Sequence, residues 1–521
     1  MESPDNQGDQ VQVDVPSRED RHIPREMSIS ERASRESSRR FVAPFYLKWL
    51  ELPFGFIIKS KSAPASEEAI AWGFDSVARG VATQAGSFIA SAIVILATEE
   101  AGCPKKGTCE KTVYGLRPSS LFPVATIAVS LITAVFMPVF GAIVDYSHHR
   151  KTVGLVTAIL ICLFLGLQLM ISKDSWFSVY LFECAGGFFV SVHTTITLAY
   201  LPELTENEEE ITHYISRFTL LQFVLQSFFL ISVVGISRRI NADPTTTARI
   251  AAAISLGITS ILFVYAWIYL FRKRPPLSTV PDGSNVVTSG FQKVAKTCRL
   301  IFKEHRPLFW FMISLVTAPD AGSGVLISIA VTYMTSFLKM TPIEVGISAV
   351  TMLLCTALGG FVYKYLAKFF NPINSFRLCV LSFAVAIMMT AIFTSGPEKK
   401  NLIYLFAVFW GVSWGLLIPS QRTLYCTISP RGQQTEIMGL FAFANSIIGW
   451  LPALVFTTLN ESGVNMRLSI GNLSVFLFIS FLLTLMIGSY DDAVAKVKPS
   501  KSVMENTLSL EELQNDQELK A

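Results

Sequence analysis

Pro138-Val-Phe-Gly141-Ala-Ile-Val-Asp145-Tyr-Ser-His148-His149-Arg150-Lys151 stands where one long apolar run, about 119–144, ends and the next, about 152–172, begins. Each run reaches the roughly 20 apolar residues that a helix needs to cross a bilayer core. The charges between them therefore lie at a membrane edge. Gly141 lets a neighbouring helix approach closely. Asp145, about one turn before Arg150 and Lys151, can pair with those cations and with the positive N-terminus of a neighbouring helix. Two readings are open: a latch that forms in one conformation and breaks in another, or a basic anchor that only fixes orientation. Glycine, aspartate and basic pair standing together favour the latch.

Similar runs lie on both sides, at about 72–97, 176–200, 212–236, 247–271, 308–337, 342–366, 374–395, 401–426, 434–459 and 467–489. They are long and apolar all round, which excludes a membrane barrel of short alternating strands. The 521 residues are 51% hydrophobic and only 16% charged, against about a quarter charged in soluble domains. The sequence thus predicts an all-α polytopic membrane protein of twelve spans. The net charge of +4 says little about partners, and the basic residues do not gather among aromatics as a nucleic-acid footprint would. Residues 1–45 are polar and of mixed charge, so they read as a disordered tail without a cleavable signal. Residues 46–71 read as an interfacial segment, since the aromatic stretch 41–60 is broken by Pro44 and Pro53. Two six-helix halves, 72–271 and 307–489, flank a central loop 272–306, and 490–521 form a second tail.

That loop carries Arg272, Lys273, Arg274, Lys293, Lys296, Arg299, Lys303 and Arg306 against Asp282 and Glu304. An excess of Lys and Arg marks the cytoplasmic face, so both termini are expected there too. The opposite face holds Cys103 and Cys109, a local disulfide if that compartment is oxidising and two free thiols if it is not. The eight cysteines contain no C-x-x-C, so no zinc site is expected. Asn460-Glu-Ser462, on the same face as Cys103, is a glycosylation sequon close to the membrane. The halves also repeat. Gly187, His193 and Pro202 are matched at equal offsets by Gly415, Gln421 and Pro430, and Gly141 closing span 2 is matched by Gly359-Gly360 closing span 8. Either residues common in membrane helices coincide, or the halves are related and a solute site lies near the midplane between them.

The segment 138–151 resembles the loop between helices 2 and 3 of major facilitator transporters. In the form Pro-x-x-Gly-Ala-x-x-Asp it is most similar to the vacuole effluxer branch, the autophagy-related vacuolar amino-acid exporters. Leu201-Pro202-Glu203-Leu204 resembles that branch's turn after helix 4. Ser420-Gln421-Arg422, Pro430-x-Gly432 and Glu436-Ile-Met-Gly439-Leu-Phe441 resemble its signature around helices 10 and 11, continued by Trp450-Leu-Pro452. Ala71-Trp72-Gly73-Phe74-Asp75 is similar to the aromatic start of its helix 1. The chain departs from the pattern at Thr197-Leu-Ala-Tyr200, where the branch is more polar, and at Tyr363, where the repeat would place an aspartate. The resemblance implies the major facilitator fold, twelve transmembrane helices in two six-helix halves. It adds Glu436 to the latch of Gly141, Asp145, Arg150 and Lys151. It implies a secondary active transporter working by alternating access, exporting amino acids from a vacuole- or lysosome-like compartment. The alternatives are transport of a sugar or organic ion at the plasma membrane, and a membrane sensor that transports nothing.

An ionisable side chain at the bilayer centre costs about 2.5–3.5 kcal/mol on insertion scales, so it usually faces a cavity or a partner. Asp320 lies in Thr317-Ala-Pro319-Asp320-Ala-Gly322-Ser323-Gly324, where proline and glycines break the helix. It either contacts the solute or a coupled proton, or is paired at a structural kink. Asp75 and Arg79 share a helix face; Arg79 either forks a solute carboxylate or is simply neutralised by Asp75. On span 4, beside Glu183, His193 either carries a proton or is a bonded core histidine. Gln222 and Gln226 share a face of span 5. Trp410 and Trp414 either pack between helices or wall the cavity. Gln84, Gln421 and Asn445 complete the solute-binding or coupling candidates, although Asn445 can instead join two helices. No phosphate-binding glycine loop, His-Glu-x-x-His or Gly-x-Ser-x-Gly occurs, so neither ATP-driven pumping nor hydrolysis is expected. The expected partners are membrane lipids and a small solute, with or without a coupled proton; no metal or cofactor is expected.

Overall fold

The apolar runs become helices. The computed structural model describes residues 48, 51–59, 66–103, 110–201, 204, 208–274, 285–318, 325–429, 444 and 447–495. Asp320, Asn445, Glu436, Cys109 and the side chain of Asp145, all named above, lie outside the described set. The helices are α1 Glu51–Ile58, α2 Glu67–Glu100, α3 Leu121–Tyr146, α4 Arg150–Gln168, α5 Trp176–Leu198, α6 Glu208–Arg239, α7 Pro244–Val264, α8 Val286–Glu304, α9 Arg306–Thr317, α10 Leu326–Thr332, α11 Pro342–Phe369, α12 Pro372–Phe393, α13 Leu402–Ile428, α14 Trp450–Glu461, α15 Met466–Leu485 and α16 Tyr490–Ala495. Among the described residues, 10 helices are long and apolar enough to cross a membrane. Two shorter apolar helices, Arg306–Thr317 and Leu326–Phe337, fall within expected span 7.

The central element is α2. Ser66 caps it by accepting the Ala69 N–H at 3.1 Å, with Glu67 and Glu68 in the positive first turn. Most of its residues are buried, because α5, α6, α7, α10 and α11 pack around it. Its glycines make room for particular neighbours. A Cβ added at Gly73 would lie 2.7 Å from Ile58 of α1, and one at Gly86 would lie 2.5 Å from the Glu183 carboxylate. A Cβ at Gly80 would overlap the Gln226 amide.

Helices α11 and α13 pack in close contact. Cβ atoms at Gly359, Gly411 and Gly415 would overlap the backbone carbonyls of Val412, Met352 and Thr356 respectively. Small residues let membrane helices approach this closely. Gly359 therefore packs inside α11, which runs on to Phe369, and does not close the helix as the repeat suggested. Gly141 is corrected more sharply, since among the described residues nothing lies within 4 Å of an added Cβ there. The close approach on α3 is made one face away. Gly290 of α8 sits on the Pro138 carbonyl and on Ala142, so a helix within the basic central loop grips the end of α3.

Within expected span 7, α9 ends at Thr317 and Ala318 is extended (φ −176°, ψ 168°), while α10 begins at Leu326; the expected break at Pro319, Gly322 and Gly324 lies outside the described residues. Ser480 of α15 donates to the Ser314 carbonyl at 2.8 Å and to the Ala318 carbonyl at 3.4 Å, supplying a donor to acceptors at the broken end. A π turn, Tyr265–Leu270, ends α7, and another, Tyr333–Phe337, ends α10.

Two surface expectations are also answered. Cys103 is disulfide-bonded. Asn460 is only 4% exposed, and its Nδ2 donates to Ser119 Oγ at 2.8 Å and Ser120 Oγ at 2.7 Å. The nitrogen that a glycan would need is thus buried and committed. The sequon reading is corrected for this conformation.

Candidate functional site

On α2, Asp75 and Arg79 stand one turn apart, and the ion pair between them is formed. Arg79 Nε donates to Asp75 Oδ2 at 2.6 Å. Asp75 is completely buried, and its Oδ1 also meets His193 Nε2 at 2.7 Å and the Trp267 indole N–H at 2.9 Å. A buried carboxylate persists only when its lone pairs are so engaged. His193 is equally buried, with Nδ1 2.7 Å from Thr157 Oγ1. It is therefore a bonded core histidine, placed behind the cavity wall. Trp267 reaches Asp75 from the π turn that ends α7 and occupies the space above Gly154, where any Cβ would overlap its ring.

Arg79 is held without being used up. Its Nη1 lies 3.3 Å from Thr194 Oγ1, its guanidinium is 5.6 Å from the Trp72 ring, and its side chain remains 13% exposed. That exposed edge faces a cavity of about 310 Å³ between α2, α5 and α6 on one side and α10, α11 and α13 on the other. Gln84, Gln222, Gln226, Trp410 and Trp414 line it. Gln222 accepts from Ser76 Oγ at 2.8 Å, whereas Gln226 Oε1 is buried without a partner. Trp410 is fixed by its N–H on Thr390 Oγ1 at 3.0 Å. Both tryptophans thus line the chamber, and Trp410 is also tied to the neighbouring helix α12.

A second cavity of about 360 Å³ adjoins the first and shares Thr83, Ser87, Val190, Ile327 and Val331 with it. Glu183 lines it and takes a hydrogen bond from Gln168 Nε2 at 2.5 Å. Gln421 is nearly buried with an unpartnered Oε1, but it lines neither cavity. The structure thus brings Arg79, Gln84, Gln222, Gln226 and Trp414 to one chamber and Glu183 to the next. Asp75 and His193 stand behind them as support.

Sequence reasoning missed Trp267, Thr157, Thr194 and Gln168. A tryptophan near a helix end reads as an interfacial anchor, and threonines in membrane helices commonly bond their own backbone. No spacing rule links Asp75 to a residue 192 positions away.

Around the opening motif, the cations bind helix ends. Arg150 is buried, with Nε and Nη2 3.4 and 3.3 Å from the Val144 carbonyl and its guanidinium 5.2 Å from the Tyr200 ring. Lys151 Nζ donates to the carbonyls of Phe271 at 2.6 Å and Ile268 at 3.3 Å. A cation at the negative C-terminus of a helix is favourable, and here it ties α4 to the end of α7.

Comparison with known proteins agrees with this geometry. Among curated proteins, Autophagy-related protein 22-2 of Aspergillus oryzae is 22% identical over 271 residues, 45% of this chain and 43% of that protein. Autophagy-related protein 22 of Yarrowia lipolytica is 24% identical over 287 residues, 50% of this chain and 48% of that protein. The chain spans about half the length of these relatives. Among solved structures, a D-xylose–proton symporter superposes with a TM-score of 0.58 at 13% identity, covering 81% of this chain and 97% of that one. The human organic anion transporter MFSD10 gives 0.55 at 11% identity, covering 80% and 99%. Identities this low speak for the fold alone. The model of the Major Facilitator Superfamily matches residues 76–453, from the ion-paired turn of α2 into α14. With that match over most of its length, and with the helices and central chamber described above, the chain belongs to the Major Facilitator Superfamily.

Proposed function

We propose that this protein is a secondary active transporter that exports an amino acid from a vacuole- or lysosome-like compartment by alternating access, with both termini in the cytosol. Arg79 is the observation that carries the reading. It offers a guanidinium edge to a chamber between two sets of helices, and Asp75 holds its Nε so that the edge is pre-oriented. Guanidinium recognises carboxylates with a geometric fork that ammonium lacks. Gln222 and Gln226 line the chamber with amide groups, while Ile327, Val331 and Met334 provide apolar wall. The compartment is supported by the resemblance of the 138–151 and 420–452 motifs to vacuolar exporters and by the autophagy-related relatives.

Proteoliposomes loaded with radiolabelled amino acids or sugars, with and without a pH gradient, test transport and coupling directly. Release of amino acids is expected, and release of sugars alone overturns the assignment. Arg79→Lys keeps the charge and loses the fork. About tenfold weaker amino-acid binding is expected, on the scale where each factor of ten is 1.4 kcal/mol. Unchanged affinity would exclude Arg79 from carboxylate recognition. A fluorescent fusion of the full chain tests the compartment, and a plasma-membrane signal would reject it.

A further inference from the structure

The second cavity contains an acceptor cluster that the reading above leaves unused. The Glu183 carboxylate rests against Gly86, and one oxygen receives the Gln168 amide at 2.5 Å. That bond leaves Gln168 Oε1, buried on a residue only 3% exposed, without any hydrogen-bond partner. The described lining of this cavity holds no lysine, arginine or histidine. A carboxylate on the cavity wall, backed by a buried amide whose oxygen is left orphaned, with no cation in the described lining, calls for a ligand that only donates. Ammonium and guanidinium groups are of that kind, and buried acceptors left unmade are costly.

The position of this cluster relative to Arg79 sets the ligand's length. Gly86 is seven residues beyond Arg79 on α2, so both lie on one face, about 10 Å apart at 1.5 Å per residue. Thr83, between them, lines both cavities. The α-ammonium of an amino acid is one carbon away from its own carboxylate. It cannot reach Glu183 while the carboxylate is on Arg79. An ammonium at the end of a four-carbon side chain can.

We propose that Glu183 and Gln168 form a subsite for the side-chain ammonium or guanidinium of a basic amino acid, whose carboxylate is held two helical turns away by Arg79. The proposal rests on the amino-acid reading for its choice of ligand, but the cationic subsite can be tested by itself. Lysine and norleucine have the same carbon chain and differ in the terminal amine. Binding of each to the full-length protein in proteoliposomes, by competition against a labelled amino acid, should favour lysine by about 10- to 100-fold, the range expected for charge-assisted hydrogen bonds. Glu183→Gln should remove that preference and leave norleucine binding unchanged. Gln168→Leu should reduce it in the same direction.

Equal binding of lysine and norleucine to the unaltered protein overturns the subsite and leaves amino-acid transport standing. So does a Glu183→Gln variant that loses both ligands equally, or one that loses only the pH dependence of transport. If no amino acid is bound or carried, n-butylammonium becomes the probe. Saturable protection of the unaltered protein against thermal unfolding, absent in Glu183→Gln, keeps the subsite while the amino-acid reading fails. No protection overturns both.

Discussion

The glycines of this chain fall into two kinds that sequence spacing cannot separate. Gly154 faces the Trp267 ring, and that ring is packed against His193, Tyr200 and Phe271 at centroid distances of 5.1, 5.9 and 4.4 Å. The indole has no free direction in which to yield. Gly154→Ala is therefore expected to cost about 1–3 kcal/mol, as overpacking does, and to pull the indole N–H off Asp75. Gly141, although central to the most recognisable motif, faces open space among the described residues. Gly141→Ala is expected to be neutral or to stabilise by up to about 1 kcal/mol through helix propensity. Thermal unfolding midpoints of the purified proteins in detergent separate the two. Equal destabilisation would mean that Gly141 packs after all.

Helices that are interrupted need their ends satisfied from elsewhere. The end of α9 stands where Pro319 led one to expect it, but the means of satisfying that end was not legible. The Ser480 hydroxyl on α15, 166 positions from Ser314, bonds two carbonyls at the broken end. Ser480→Ala is expected to cost about 1 kcal/mol, the net worth of a typical hydrogen bond. It should also speed hydrogen exchange in the last turn of α9 while leaving α12 unaffected. Uniform exchange in both variants would show that water already serves these carbonyls. The same principle explains Lys151. Its sequence position suggested a partner for Asp145, and its ammonium also closes the carbonyl end of α7.

Across the molecule, one bridge ties the two halves at the end that carries Cys103. Arg117, just before α3, donates from Nη1 to the Asn460 carbonyl at 2.8 Å and from its backbone N–H to Glu461 at 3.0 Å. Asn460 returns two hydrogen bonds to Ser119 and Ser120. In an alternating-access cycle such a bridge favours closure at this end. Weakening it with Arg117→Ala and Glu461→Ala together, which removes the guanidinium donor and the carboxylate acceptor, is expected to raise the labelling rate of a cysteine placed at Gln84 by about 3- to 10-fold, the effect of one net hydrogen bond. Unchanged labelling would mean that the bridge does not gate the chamber. Endoglycosidase treatment of the native chain should leave its gel mobility unchanged, because Asn460 is buried. A shift that Asn460→Gln abolishes would contradict that burial.

The sequence by itself determined the class of the protein. Apolar runs too long for soluble helices leave no alternative to membrane spans, and Gly-Asp-basic spacing and proline-glycine breaks mark where spans end or open. It also singled out Arg79, because a charge inside an apolar run is costly enough to demand a reason. Tertiary structure alone decided what each polar residue does. Asp75 meets Trp267 and His193, Gln168 meets Glu183, and Asn460 meets Ser119 only because α2, α4, α5, α7 and α14 pack as they do. These pairings depend on side-chain direction across helix interfaces, and no period of 3.6 residues within one helix encodes them. Hydrophobic burial is written locally in a chain; satisfaction of buried polar groups is settled between segments far apart in it.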